Sequence, residues 1–263
     1  MRTPSEIVEY VNKSAKSKAD VPMRKLSLLA FVGGIYISMG ALLSLMIGYG
    51  FPGVAESNPA IVKILMGATF PVGLIMIVLA GGELFTGTCA YFIPNLMNRR
   101  QKLSTVARYC TVVWVMNFVG ALFFGYFIVY LANLSHYEPT LDGFMQIAGA
   151  KTSNPFYVTF LKGIGANWLV CLAMWLGMSS KSVSGKILGI WFPVMTFVAI
   201  GYEHSVANMF FLPVAMFEGF DLSVGELMTS NLLPATLGNI VGGALFVGGV
   251  YWYLYDSKGS SKK

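Results

Sequence analysis

Charged side chains are scarce in this sequence. Its 263 residues include 18 Lys or Arg and 12 Asp or Glu, 11% in all, against about 25% in an ordinary soluble domain. So little charge does not cover the surface of a soluble domain this long, which argues against a water-soluble globular enzyme. Cysteine is rare too. Cys89, Cys110 and Cys171 lie in or beside apolar stretches, with no metal-ligand spacing between any two. They read as small buried side chains, not as a disulfide framework or a redox centre. Histidine occurs twice, and no HExxH pattern exists to hold a catalytic metal. The first 25 residues are polar, unlike a cleaved signal peptide. What the chain does have is 56% hydrophobic residues, 14% aromatics and a mean hydropathy of +0.65. These values predict a polytopic membrane protein.

The net charge of +6 does not predict nucleic-acid binding, because Lys and Arg sit in short clusters between apolar runs. A hydrocarbon core about 30 Å thick needs about 20 apolar residues per helix. Six stretches qualify: 26–48, 61–97, 106–132, 156–178, 187–217 and 230–255. The clusters Arg2–Lys25, Arg99–Arg108, Lys181–Lys186 and Lys258–Lys263 hold 15 basic residues on one side of these spans. Only Lys63, Lys151 and Lys162 fall on the other. The positive-inside rule therefore predicts two cytoplasmic termini in the inner (plasma) membrane. The expected organisation is an amphipathic cytoplasmic helix within residues 1–25, a channel domain over 26–255 and a cytoplasmic tail over 256–263. Thr3-Pro4-Ser5-Glu6 is a capping box with Pro at the first helical position. The stripe Ile7, Val8, Val11 and Ala15 is expected to lie on the membrane surface or on neighbouring subunits; a solvated leader helix is the alternative.

The second and fifth stretches are too long for one ordinary span, and each carries a glutamate near its middle. Gly82-Glu83-Leu84-Phe85-Thr86-Gly87-Thr88 in the second answers Gly201-Tyr202-Glu203-His204-Ser205 in the fifth. Asn117-Phe118-Val119-Gly120-Ala121-Leu122-Phe123 in the third answers Asn239-Ile240-Val241-Gly242-Gly243-Ala244-Leu245-Phe246 in the sixth. Residues 26–132 and 156–255 thus read as two copies of three spans, and an odd number of spans per copy inverts the second copy. The fold expected is an all-α membrane protein with an inverted 3+3 repeat and breaks in helices two and five.

In such repeats broken helices mark the substrate site. A charge at the bilayer centre costs at least ~2.5 kcal/mol, so Glu83 and Glu203 need partners. They are expected to hold the breaks by accepting backbone hydrogen bonds. Thr86, Thr88 and Ser205 are the expected caps of the new half-helices, whose N-termini attract anions. His204, beside Glu203 at a predicted break, is the expected functional group, since imidazole gives a hydrogen bond or a proton near neutral pH. His136 reads as a surface residue.

Glu83-Leu84-Phe85-Thr86, Ala166-Asn167-Trp168-Leu169-Val170-Cys171-Leu172-Ala173, Gly201 to Phe210 and Asn231 to Asn239 together resemble the formate/nitrite transporter family. The likeness runs from the N-terminal helix to the sixth span. It implies an aquaporin-like fold and a homopentamer with one pore per protomer. It also implies constrictions at Phe70, Leu74, Leu84, Phe85, Val170 and Phe197, with Leu84, Phe85 and Thr86 in the loop that interrupts span two. His204, Thr86 and Asn167 would line the polar stretch between them, and Lys151 the outer vestibule. The implied substrate is formate, a small monovalent weak-acid anion, moving with protons and without a cofactor or metal. Nitrite, hydrosulfide and lactate are alternatives within the family. A water or glycerol channel shares the architecture, but Asn58-Pro59 and Asn154-Pro155 lie at span starts, where Asn caps and Pro opens a helix. An intramembrane acid–base enzyme using Glu83, Glu203 and His204 is the reading from a different class.

Overall fold

The computed structural model of the chain describes residues 1–256. Most of the 256–263 tail, with Lys258, Lys262 and Lys263, lies outside the described residues. The spans are α2 (Met23–Tyr49), α4 (Pro59–Gly81), α7 (Leu103–Tyr130), α9 (Phe156–Ser179), α10 (Val183–Ile200) and α12 (Val224–Tyr255). Between them lie α1 (Pro4–Ala19), α3 (Pro52–Ser57), α5 (Phe85–Tyr91), α6 (Ile93–Met97), α8 (Glu138–Thr152) and α11 (Ser205–Phe217). Six spans and an all-helical chain agree with the expectation from sequence. Pro52 and Pro59 each open a helix at a position whose N–H has no helical partner anyway. Asn58 and Asn154, expected as caps, do not act so: Asn58 makes no side-chain cap bond, and Asn154 Nδ2 donates back to Ala150 O at 2.9 Å.

Three crossings separate α1 from α8, so these two short helices lie on opposite faces. The Thr3–Glu6 capping box of α1 is formed on both sides. Its apolar stripe is buried, but against this chain's own spans rather than lipid or a neighbour: Asn95 Nδ2 donates to Asn12 O at 2.9 Å and Gln101 Nε2 to Ala15 O at 3.0 Å. Asp256 accepts from both Asn12 and Asn98, tying α1 to the ends of α6 and α12. Helix α8 falls where the sequence suggested only an outer loop. Thr140, Gly143, Phe144 and Ala148 are its buried residues. Their spacing is a helical stripe, in a stretch too polar to register as a span.

The repeat is visible atom by atom. A Cβ on Gly120 of α7 would strike the carbonyl of Phe31 on α2, and one on Gly242 of α12 the carbonyl of Ile164 on α9. Each half therefore crosses its first and third spans with backbone against backbone, which only small residues allow.

Candidate functional site

Each half interrupts a long helix in the same way. α4 closes on Gly81 with φ +96°, and α10 is followed by Gly201 with φ +85°. Both angles lie where side chains are strained and glycine is not. Gly82–Leu84 and Tyr202–His204 are then non-helical, and α5 and α11 start at Phe85 and Ser205. Phe85 and Thr86 thus occupy the first turn of α5 rather than the loop itself.

The first amides of a new helix lack helical partners. Asn117 of α7 supplies one: its Oδ1 accepts from Phe85 N at 2.9 Å, while its Nδ2 donates to Glu83 O at 2.9 Å and Ala30 O at 2.6 Å. Asn239 of α12 does the same in the second half. Its Oδ1 accepts from Ser205 N at 2.9 Å, and its Nδ2 donates to Glu203 O at 2.9 Å and Gly163 O at 2.8 Å. The expected caps Thr86, Thr88 and Ser205 do not serve. Thr88 Oγ1 instead donates to Phe85 O at 2.6 Å. A carboxamide bonds an N–H and two carbonyls at once, which one hydroxyl does not. The two asparagines stand at matching places in the repeat, and that placement was the signal for their role.

The glutamates are not held by backbone amides. Glu83 pairs with Lys18 of α1. Glu203 pairs with Lys151 of α8 at 2.8 Å and also accepts from Asn208 at 2.7 Å and Asn231 at 3.4 Å. A buried carboxylate needs a cation more than another dipole. Glu83 lines the mouth that opens on the α1 face. Lys151 lines the opposite mouth and is the counter-ion of Glu203 rather than a free cation.

A cavity of about 330 Å³ opens on the α1 face, lined by Lys18, Glu83 and Leu84 among others. One of about 130 Å³ opens opposite, lined by Phe70, Lys151, Phe197 and His204. Phe197 stacks on the His204 ring at 5.7 Å, and Phe70 meets Phe197 edge-on at 5.7 Å. Leu74, Phe85 and Val170 are buried but line neither cavity.

Thr86, Asn167 and His204 come together between the two. His204 Nδ1 accepts from Ala207 N at 3.1 Å, so that nitrogen carries no proton. In the neutral ring the proton is then on Nε2, which faces Thr86 Oγ1 at 2.9 Å. Thr86 accepts there, and its own hydroxyl proton is left to donate. Asn167 Nδ2 bonds Thr86 O at 3.0 Å and Asn239 O at 2.6 Å, joining the first break to the second. Cys171, which the sequence marked only as small and buried, donates to the same Thr86 carbonyl at 3.4 Å.

A family model described as formate/nitrite transporter matches residues 5–253. A "Probable formate transporter" of Methanothermobacter thermautotrophicus is 39% identical, over 97% of this chain and 97% of that protein. "Formate channel BtFdhC" of Bacillus thuringiensis is 38% identical, over 99% of this chain and 98% of that protein. A solved "Pentameric formate channel with formate bound" is similar in structure, with a TM-score of 0.78 and 31% identity over 89% of this chain and 97% of that one.

Proposed function

Because the chain belongs to the formate/nitrite transporter family, whose members are membrane channels and transporters rather than enzymes, we propose that it conducts formate through a pore in each protomer of a homopentamer. The reading places both termini in the cytoplasm and the six spans in the inner membrane, following the lysine and arginine asymmetry. The observation that carries it is the Thr86–His204 contact. Two short helices from opposite halves meet there, with aromatic rings on one side and Leu84 on the other.

An anion leaving water for such a site loses hydration that the protein must replace. Here the donors are neutral: the Thr86 hydroxyl, fixed by the His204 Nε2–H, and the amide ends of α5 and α11. Neutral donors hold a monovalent anion without trapping it. Phe70, Leu74, Phe85, Val170 and Phe197, with Leu84, form the dry surroundings that exclude hydrated ions. His204 acts as a hydrogen-bond donor. A proton-donor role would place a proton on Nδ1 against the Ala207 amide, so a proton that accompanies formate joins it in the water of a vestibule. Lys151, paired with Glu203, shapes the approach from the α8 face.

The test is labelled formate flux into proteoliposomes, competed by nitrite, hydrosulfide and lactate, with His204→Ala as control. Formate flux that the variant loses supports the proposal. Nitrite outcompeting formate between pH 5 and 8 would move the assignment to nitrite, which the family description equally covers.

A further inference from the structure

The two mouths differ in charge as well as size. At the α8 mouth Lys151 is matched by Glu203. The α1 mouth gathers Arg2, Lys18 and Lys186 around the single carboxylate Glu83. With Lys18 and Glu83 paired, two cations remain. Arg2 is posted there by its backbone N–H on Ser179 O at 2.7 Å, by Nη1 on Met178 O at 2.6 Å and by its stacking over Tyr10. A guanidinium has five donors, and the Met178 carbonyl takes one of them. The Lys186 side chain makes no ion pair or hydrogen bond among the described residues. It also lies near the N-terminus of α10, where the helix dipole disfavours a cation, so helix stability does not explain it.

We propose that this vestibule is a binding site for a small dianion, a dicarboxylate held between Arg2 and Lys186, which blocks anion flux from the α1 face alone. The inference rests on the transport reading above for its effect, though not for its binding. The cavity of about 330 Å³ accommodates such a ligand. The narrow stretch beyond it does not pass one, because the cost of stripping water from an ion rises with the square of its charge. A monovalent anion meets a far smaller cost and continues.

Malonate confined to one face of side-sorted proteoliposomes tests this. On the α1 face it is expected to suppress formate flux, and on the α8 face to leave it unchanged. Lys186→Gln and Arg2→Gln should each raise the half-blocking concentration about tenfold, the weight of a charge-assisted hydrogen bond, with flux in the absence of malonate retained. Equal block from both faces, or block unaltered by either substitution, would overturn the proposal. Calorimetric titration of malonate into the solubilised protein reads the site without transport. Heat from one site, absent in the Arg2→Gln/Lys186→Gln double variant, supports the site even if formate is not the substrate. No heat with intact wild-type protein refutes it.

Discussion

The break after Gly81 and the break after Gly201 share a scaffold and differ in chemistry. Both begin with a left-handed glycine, both hang on an asparagine from the third span of their repeat, and both set a glutamate on a lysine. One residue after the glutamate the halves part: Leu84 in the first, His204 in the second. Three residues after it they part again, with Thr86 against Val206. Asn167 stands on α9 where the first half has Gly34 on α2, counting from the matching Phe31 and Ile164. The glycines and asparagines that fix the backbone obey the repeat, whereas Thr86, Asn167 and His204, the side chains able to bond an anion between the breaks, depart from it. A symmetric pore would offer leucine to leucine or histidine to histidine. This one offers a donor from one half to a hydroxyl from the other.

The scaffold half of the comparison predicts the largest effects. Asn117→Ala and Asn239→Ala each orphan two buried backbone groups at ~1–3 kcal/mol apiece, so each should lose at least ~2 kcal/mol of stability. Thermal unfolding in detergent should show losses of similar size, and a marked inequality would break the equivalence of the two halves. On the chemical side, His204→Leu turns the second break into a copy of the first. The fold should persist while formate flux drops about tenfold or more, the weight of one hydrogen bond to a charged group. Unchanged flux would mean that the asymmetry is incidental. Gly81→Ala and Gly201→Ala come next: each forces a side chain into the left-handed region and should cost ~1–2 kcal/mol, read as a lowered unfolding temperature. The smallest effect belongs to Lys18. Lys18→Met leaves Glu83 lining an open cavity, so it should cost only about 1 kcal/mol in the same melts.

Much of this was legible in the sequence, and the reasons are particular. Long apolar runs give six spans because the bilayer admits few alternatives. The repeat was visible because the breaks need Gly, Glu and Asn at fixed places. Thr86 and His204 were legible as residues at the two breaks, but Asn167 and the joining of all three were named through resemblance to a family, since nothing local pairs Thr86 with a ring 118 residues away. Helix α8 was missed because its burial depends on Tyr49 and the α11 aromatics packing over it. The partners of the glutamates were missed because Lys18 and Lys151 arrive from peripheral helices that hydropathy does not place. The capping roles of Thr86, Thr88 and Ser205 failed for a different reason: a side chain from another span met the same need with more bonds.

A double-mutant cycle on formate flux across Thr86 and His204 tests the central claim most directly. Thr86→Val, His204→Leu and the pair together, in proteoliposomes of matched protein content, give the coupling between the two halves of the pore. If the hydroxyl is presented to the anion by the imidazole, the double variant conducts no worse than the poorer single one. If the two losses multiply, the residues act independently, and the junction between the breaks is not the site of selection.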